Sequence, residues 1–127
     1  ARYGRRQAAN RLVVALMAGD ADRVLSLLAP DVVLVSDGGA EVRAARRPVV
    51  GPERVGRLLL NLARRTVELG VRYERRTYNG QEGAVALWGD VTAFVTAVTV
   101  EDGLVTQVHS VLSPSKLASL GLTDPIE

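Results

Sequence analysis

From Arg5 to Ala18, apolar residues recur at three- and four-residue spacing: Ala8, Ala9, Leu12, Val13, Leu16 and Met17. That spacing marks an amphipathic helix, and Gly19 closes it as a C-terminal cap. Asp20 then stands where the N-cap of a second, shorter helix belongs. This helix runs through Leu28, buries Val24, Leu27 and Leu28, and is ended by Pro30. Val32 to Ser36 reads as a first strand and Val42 to Arg47 as a second, joined by the sharp turn Asp37-Gly38-Gly39. Pro52, directly after Gly51, opens a third helix over Glu53 to Arg65. Its inner stripe is Val55, Leu58, Leu59 and Leu62.

Beyond the third helix the pattern changes to strands. Val67 to Tyr78 leads into the hairpin signal Asn79-Gly80, and Ala84 to Trp88 follows. Gly89-Asp90 turns the chain into Val91 to Val100, a β-branched run that is apolar on both sides. Asp102-Gly103 turns it again into Leu104 to Leu112, and a short tail helix, Ser115 to Leu120, ends at Gly121. Consecutive hairpins imply an α+β class. Three helices pack on one face of a curved antiparallel sheet of about six strands, with a short C-terminal helix. Residues 1–127 carry no internal repeat, low-complexity stretch or linker, so a single domain is expected.

Composition narrows the function classes. The chain has no cysteine and one histidine, which excludes disulfide chemistry and any thiolate or histidine-rich metal centre. No cofactor is expected. No apolar run reaches the roughly 18 residues a membrane span needs, and no charged-then-apolar leader opens the sequence. The expected location is the cytoplasm. Net charge is only +2, and of the sixteen basic residues all but Lys116 are arginine. Those arginines are spread along the chain with few aromatics among them, which argues against direct nucleic-acid contact.

Two small helices, a strand and turn, a third helix and a long curved sheet resemble the nuclear-transport-factor-2-like, or SnoaL-like, cone fold. The phrase Ala18-Gly19-Asp20-Ala21-Asp22, followed by Leu27-Leu28-Ala29-Pro30-Asp31-Val32, is typical of how that superfamily begins. Its members include isomerases, cyclases, hydrolases and non-catalytic binding modules, so the resemblance is specific for fold and not for function. A narrower resemblance lies in VSDGGAEVRAARRPVVGPERV and in the ending LSPSKLASLG. Both are similar to segments of SnoaL-like domains fused to the C-terminus of one class of extracytoplasmic-function sigma factors. The chain departs from that pattern at Ala40, where a third glycine is usual, and at Ser113 and Ser115 in the tail motif.

That resemblance implies a regulatory domain that is not an enzyme. It would modulate transcription initiation by contacting the sigma domains and linker of the same polypeptide and, through them, RNA polymerase. The implied contact residues are Asp37, Gly38, Gly39, Arg43, Arg46 and Arg47 in one motif and Ser113, Pro114, Lys116 and Leu117 in the other, at opposite ends of the expected cone. A small ligand in the cone is a conceivable signal, with Trp88, Tyr73 and His109 as pocket candidates. The open face of the sheet predicts a weak homodimer.

The alternative is a stand-alone small-molecule enzyme of isomerase, cyclase or hydrolase type, or a ligand-binding protein. Asp37 falls where the cone-fold isomerases carry their proton-abstracting aspartate, and His109 is the one imidazole suited to acid–base work. Leu12 stands in place of the isomerases' tyrosine, however. The inner strands offer Thr92, Thr96, Thr99, Thr106, Gln107 and Ser110 but no second acid, and a base without an electrophilic partner is an incomplete set. Asp37 as a turn residue bonding its own loop, Arg43, Arg46 and Arg47 as edge-strand charges, and Trp88 as a core filler are the structural readings of the same residues.

Overall fold

A computed structural model describes residues 2–37, 48–78 and 81–112. Three helices, α1 (Arg2–Ala18), α2 (Ala21–Leu27) and α3 (Pro52–Glu68), pack against one six-stranded sheet. Its strands are β1 (Leu28–Asp37), β2 (Val49–Val50), β3 (Arg72–Tyr78), β4 (Gln81–Trp88), β5 (Val91–Glu101) and β6 (Leu104–Leu112). The spatial order is β2-β1-β6-β5-β4-β3.

The first two helices form where the spacing places them, because caps fix their junction. Gly19 adopts φ +69, a conformation that a Cβ would strain, and Asp20 accepts a hydrogen bond from the Arg23 amide at 3.2 Å. Ala8, Leu12 and Ala15 are buried while Val14 and Met17 are exposed, so the inner stripe of α1 is narrower than the sequence implies. The second helix ends at Leu27, one residue short of the expected Leu28, and β1 starts at Leu28 rather than at Val32. Leu28 is already extended, and Pro30, which has no amide to donate, sits where the β1–β6 register shifts. In α3 the buried positions are Val55, Gly56, Leu59, Ala63 and Thr66. Gly56 lets α3 approach α2 closely, since a Cβ there would lie 3.3 Å from Leu25 Cδ2.

Three expectations need correction. The helix α3 runs on to Glu68, so Val67 belongs to it and β3 starts only at Arg72. Thr66 explains the extension, because its carbonyl accepts the Val71 and Leu69 amides at 2.9 and 3.2 Å and organises the turn. The sheet is mixed rather than wholly antiparallel. Strands β3 to β6 form the expected meander, but β1 runs parallel to β6. Hairpin signals report only strands adjacent in sequence, so this pairing has no local signature. Third, Val49-Val50 pairs with Val33 and Leu34 as the short β2. The expected strand Val42 to Arg47, the turn Asn79-Gly80 and the tail helix lie outside the described residues.

Two apolar clusters fill the space between helices and sheet. Val24, Val32, Val55, Val105 and Val108 centre the larger one; Val71, Ala86, Ala93 and Phe94 form the smaller. The sheet bends around them. Register shifts at Ala86/Leu87 and Thr99/Val100 increase local twist, and Gly83 permits a close approach of β4 to β5. A Cβ on Gly83 would meet the Thr96 carbonyl oxygen at 2.2 Å. On the face turned away from the helices, Val35, His109 and Ala97 stand in one register row and Val85, Val95 and Val111 in the next. No described helix is long and apolar enough to cross a membrane.

Replacing Gly83 by alanine forces β4 away from β5 and is expected to destabilise the domain by about 1–3 kcal/mol. Gly4→Ala, on an open helix surface with nothing within 4 Å, is expected to be neutral or slightly stabilising. Urea denaturation of the two variants compares them directly.

Candidate functional site

Helices α1 and α3 and the inner face of β3–β6 enclose a cavity of about 90 Å³ at the seam of the two clusters. Its wall is apolar: Leu12, Leu16, Leu59, Leu62, Phe94 and Val98 all contribute. Among the described residues three hydroxyls face it, those of Tyr73, Thr96 and Ser110. Thr96 and Ser110 are register partners on β5 and β6, and their oxygens hydrogen-bond at 3.2 Å. The Tyr73 hydroxyl is 2.5 Å from Thr66 Oγ1, which also donates toward the Leu62 and Ala63 carbonyls at 2.9 and 3.0 Å. Thr66 is fully buried, so its side chain and carbonyl together tie the end of α3 to β3. Phe94 meets the Tyr73 ring edge-on at 6.0 Å. Burial pushes the Tyr73 phenol above its ordinary 10.0, with the Thr66 hydrogen bond acting in the opposite direction.

The mouth is polar. Arg6 and Asn10, one turn apart on α1, face Arg75 of β3 and Glu82 of β4. Arg75 donates to Asn10 Oδ1 at 3.3 Å, and Arg6 Nε lies 3.9 Å from Glu82 Oε1. Thr77 donates to the other Glu82 oxygen at 3.4 Å. Neighbouring Arg72 and Arg76 stand on the other side of β3, each paired with Glu74, at 3.3 and 2.5 Å. The Arg76 hydrogen bond holds the Glu74 carboxyl below its usual range.

Of the pocket residues expected from sequence, Tyr73 lines this cavity, whereas Trp88 and His109 do not. Trp88 ends β4 and is 39% exposed, so it is not a core filler either. A single tryptophan alternating with alanines reads as core until the strand's end is located. His109 is half-buried on the face away from the helices, while its neighbours Val108 and Ser110 line the cavity. Thr99 is bonded by Gln81 at 2.9 Å, and Thr106 donates to the Thr99 carbonyl at 3.3 Å.

Asp37 is described only through its backbone, the last residue of β1, opposite Val111 of β6. Gly38, Gly39, Arg43, Arg46 and Arg47, and likewise Ser113, Pro114, Lys116 and Leu117, lie outside the described residues. Strands β1 and β6 end side by side at Asp37 and Leu112, and the two motifs continue from there outside the described residues.

Of the mouth residues, Arg6, Asn10 and Glu82 were not singled out by sequence, and Arg75 reads there with Arg72 and Arg76 as one solvated strand face, whereas it lies at the cavity. Strand alternation carried a signal for one of them: it puts Arg75 on the Tyr73 side and Arg72 and Arg76 on the other. Glu82, at the mouth, is the one carboxylate among the described lining residues. Among the described residues, no three His, Asp or Glu side chains converge as metal ligands do.

The raised Tyr73 pKa has a stability consequence. A group that holds its proton more tightly when folded contributes stability that is complete below its unfolded pKa, near 10.0. That contribution is lost as pH rises through the higher folded value. Tyr73→Phe is expected to cost about 1 kcal/mol at neutral pH and to flatten the alkaline decline. Denaturant melts at neutral pH and above pH 10.0 measure both effects, and a decline as steep as in the unaltered chain would contradict the assignment.

Comparison with known proteins fits this architecture. The family model described as a SnoaL-like domain matches residues 9–108. The chain is 32% identical over 122 residues to the ECF RNA polymerase sigma factor SigJ of Mycobacterium tuberculosis, covering 90% of this chain and 39% of that protein. The crystal structure of that SigJ matches with a TM-score of 0.69 at 29% identity, over 98% of this chain and 46% of the other. The chain thus spans less than half the length of the relative it matches. A steroid delta-isomerase from Pseudomonas aeruginosa matches with a TM-score of 0.64 at 18% identity, over 93% and 86% of the two chains, and shares the fold alone. By the family match over most of its length, the chain belongs to the SnoaL-like domain family.

Proposed function

We propose that residues 1–127 form one regulatory domain of an extracytoplasmic-function sigma factor, acting in the cytoplasm by contact with sigma domains and their linker rather than by catalysis. The observation that carries this reading is the match of nearly the whole chain to a part of a sigma factor, at 32% identity. Asp37, Gly38, Gly39, Arg43, Arg46 and Arg47 would form one arm of the contact, and Ser113, Pro114, Lys116 and Leu117 the other. Support comes from topology. Because β1 and β6 are parallel neighbours, the two arms start side by side and can grip one partner segment together. Arginine suits such a contact, since its planar fork pairs carboxylates through two hydrogen bonds. A bias of this kind between compact and promoter-competent arrangements amounts to about 1–3 kcal/mol for coupled sites. RNA polymerase would be engaged only through the sigma domains.

The cavity favours a second element of the reading, a small-molecule signal received inside the cone. An enzyme is the less supported alternative, because among the described residues the apolar wall carries no carboxylate and Glu82 is held at the mouth by Arg6. The apolar rows on the outer sheet face, with Val111 41% exposed, support a weak homodimer of the isolated chain.

In the complete gene product, Asp37→Ala and deletion of 113–117 are each expected to change promoter-specific transcription in vitro, in the same direction. Unchanged output from both variants would defeat the regulatory reading. Sedimentation at rising concentration is expected to show self-association that Val111→Glu abolishes. A chain that stays monomeric throughout removes the dimer.

A further inference from the structure

We propose that the cone cavity binds a small apolar carboxylic acid as its anion, with the hydrocarbon body inside and the carboxylate at the mouth against Arg75. This rests on reading the cavity as the domain's receptor for a small-molecule signal.

Size sets the first limit. A cavity of about 90 Å³ is several times the roughly 10–15 Å³ that admits a single water, enough for a compact hydrocarbon body. A short fatty acid or a single-ring aromatic acid suits that size better than a steroid or other polycyclic ligand does. Hydrogen bonding sets the second limit. The Thr96 and Ser110 hydroxyls bond each other, and the Tyr73 hydroxyl is bonded to Thr66. Among the described residues the interior therefore offers a ligand little beyond the one hydroxyl proton left over from the Thr96–Ser110 pair, and a polar ligand body entering it would lose most of its hydration without compensation. An apolar body against Phe94, Leu59 and Leu62 loses nothing comparable.

Charge at the mouth sets the third. Glu82, with 14% of its side chain exposed, is paired with Arg6 and accepts from Thr77. Arg75, by contrast, has no acidic partner among the described residues; its recorded partner is the neutral Asn10 amide oxygen. Among the described residues, two arginines against one carboxylate leave the mouth one positive charge in excess. The guanidinium of Arg75 has donors to spare, in the planar geometry that fits a carboxylate. A cationic ligand would meet that excess charge, and a neutral one would leave it unused.

The test pairs two probes that differ in one charged group, hexanoate and hexan-1-ol, titrated into the 127-residue chain and followed by ligand-observed NMR at low and high salt. Hexanoate is expected to bind about 3- to 10-fold tighter than the alcohol at low salt, and this advantage should shrink at high salt because the mouth is exposed. Arg75→Gln should bring hexanoate down to the alcohol's affinity while leaving the alcohol unchanged. Ala84→Leu, which fills the cavity wall, should weaken both. Equal affinity for acid and alcohol, indifference of hexanoate to both salt and Arg75→Gln, or no saturable binding of either probe would each overturn the proposal. Should Arg75→Gln fail to fold by circular dichroism, the salt dependence of the unaltered chain decides. Because binding is read without transcription, failure here leaves the sigma-contact reading standing, and silent transcription variants leave a positive titration standing.

Discussion

The close approach of β4 to its neighbour β5 at Gly83 is the constraint on which the rest of the structure depends. A flat sheet would lie against α1 and α3 along its whole length and leave one continuous core. Here the backbone of β4 comes so near the Thr96 carbonyl that no side chain fits between them, and the register shifts on either side of β5 add to the bend. The sheet therefore curls, and its two halves pack separate apolar clusters. Space remains at the seam, too curved for one cluster to fill and too enclosed for bulk water. Curvature alone would leave that space ill-defined. The Thr66–Tyr73 contact makes it specific by tying the end of α3 to the start of β3.

Much of this fold was legible in the sequence because it is encoded locally. Gly19-Asp20 ends one helix and caps the next within two residues, and both act as read. Leu104 to Leu112 forms a strand over the span its turn and alternation indicate. What escaped was non-local. The length of α3 depends on Thr66 finding Tyr73 across a turn, and nothing in Val67 or Glu68 announces that. Strand β2 exists because Val49 and Val50 meet Val33 and Leu34, a pairing that two residues cannot signal on their own.

The candidate site divides along the same line. Tyr73 was legible only as a candidate, since spacing does not place its ring, and it stands on the edge strand β3. The mouth was not legible, because Arg6, Asn10, Arg75 and Glu82 come from three elements and become a group only when α1 lies across β3 and β4. Runs of arginine on β3 look uniform in sequence, yet alternation splits them into a solvated ion-pair ladder around Glu74 and a single guanidinium at the cavity. His109 failed as a pocket residue for a related reason. Its parity is defined within β6, but which face turns inward is decided by the helices.

The parallel pairing of β1 with β6 also bears on how the domain comes into being. Partners such as Leu34 and Val108 are separated by more than half the chain, and both belong to the larger apolar cluster. While the chain leaves the ribosome, α1, α2 and β1 emerge early but cannot complete that cluster, because Val105 and Val108 arrive last. Contacts of such long sequence separation slow folding, since the loop must close before any of them forms. Until β6 docks, β1 stays an open edge beside unfinished apolar surface, so the last strand to be made commits the domain to its native state.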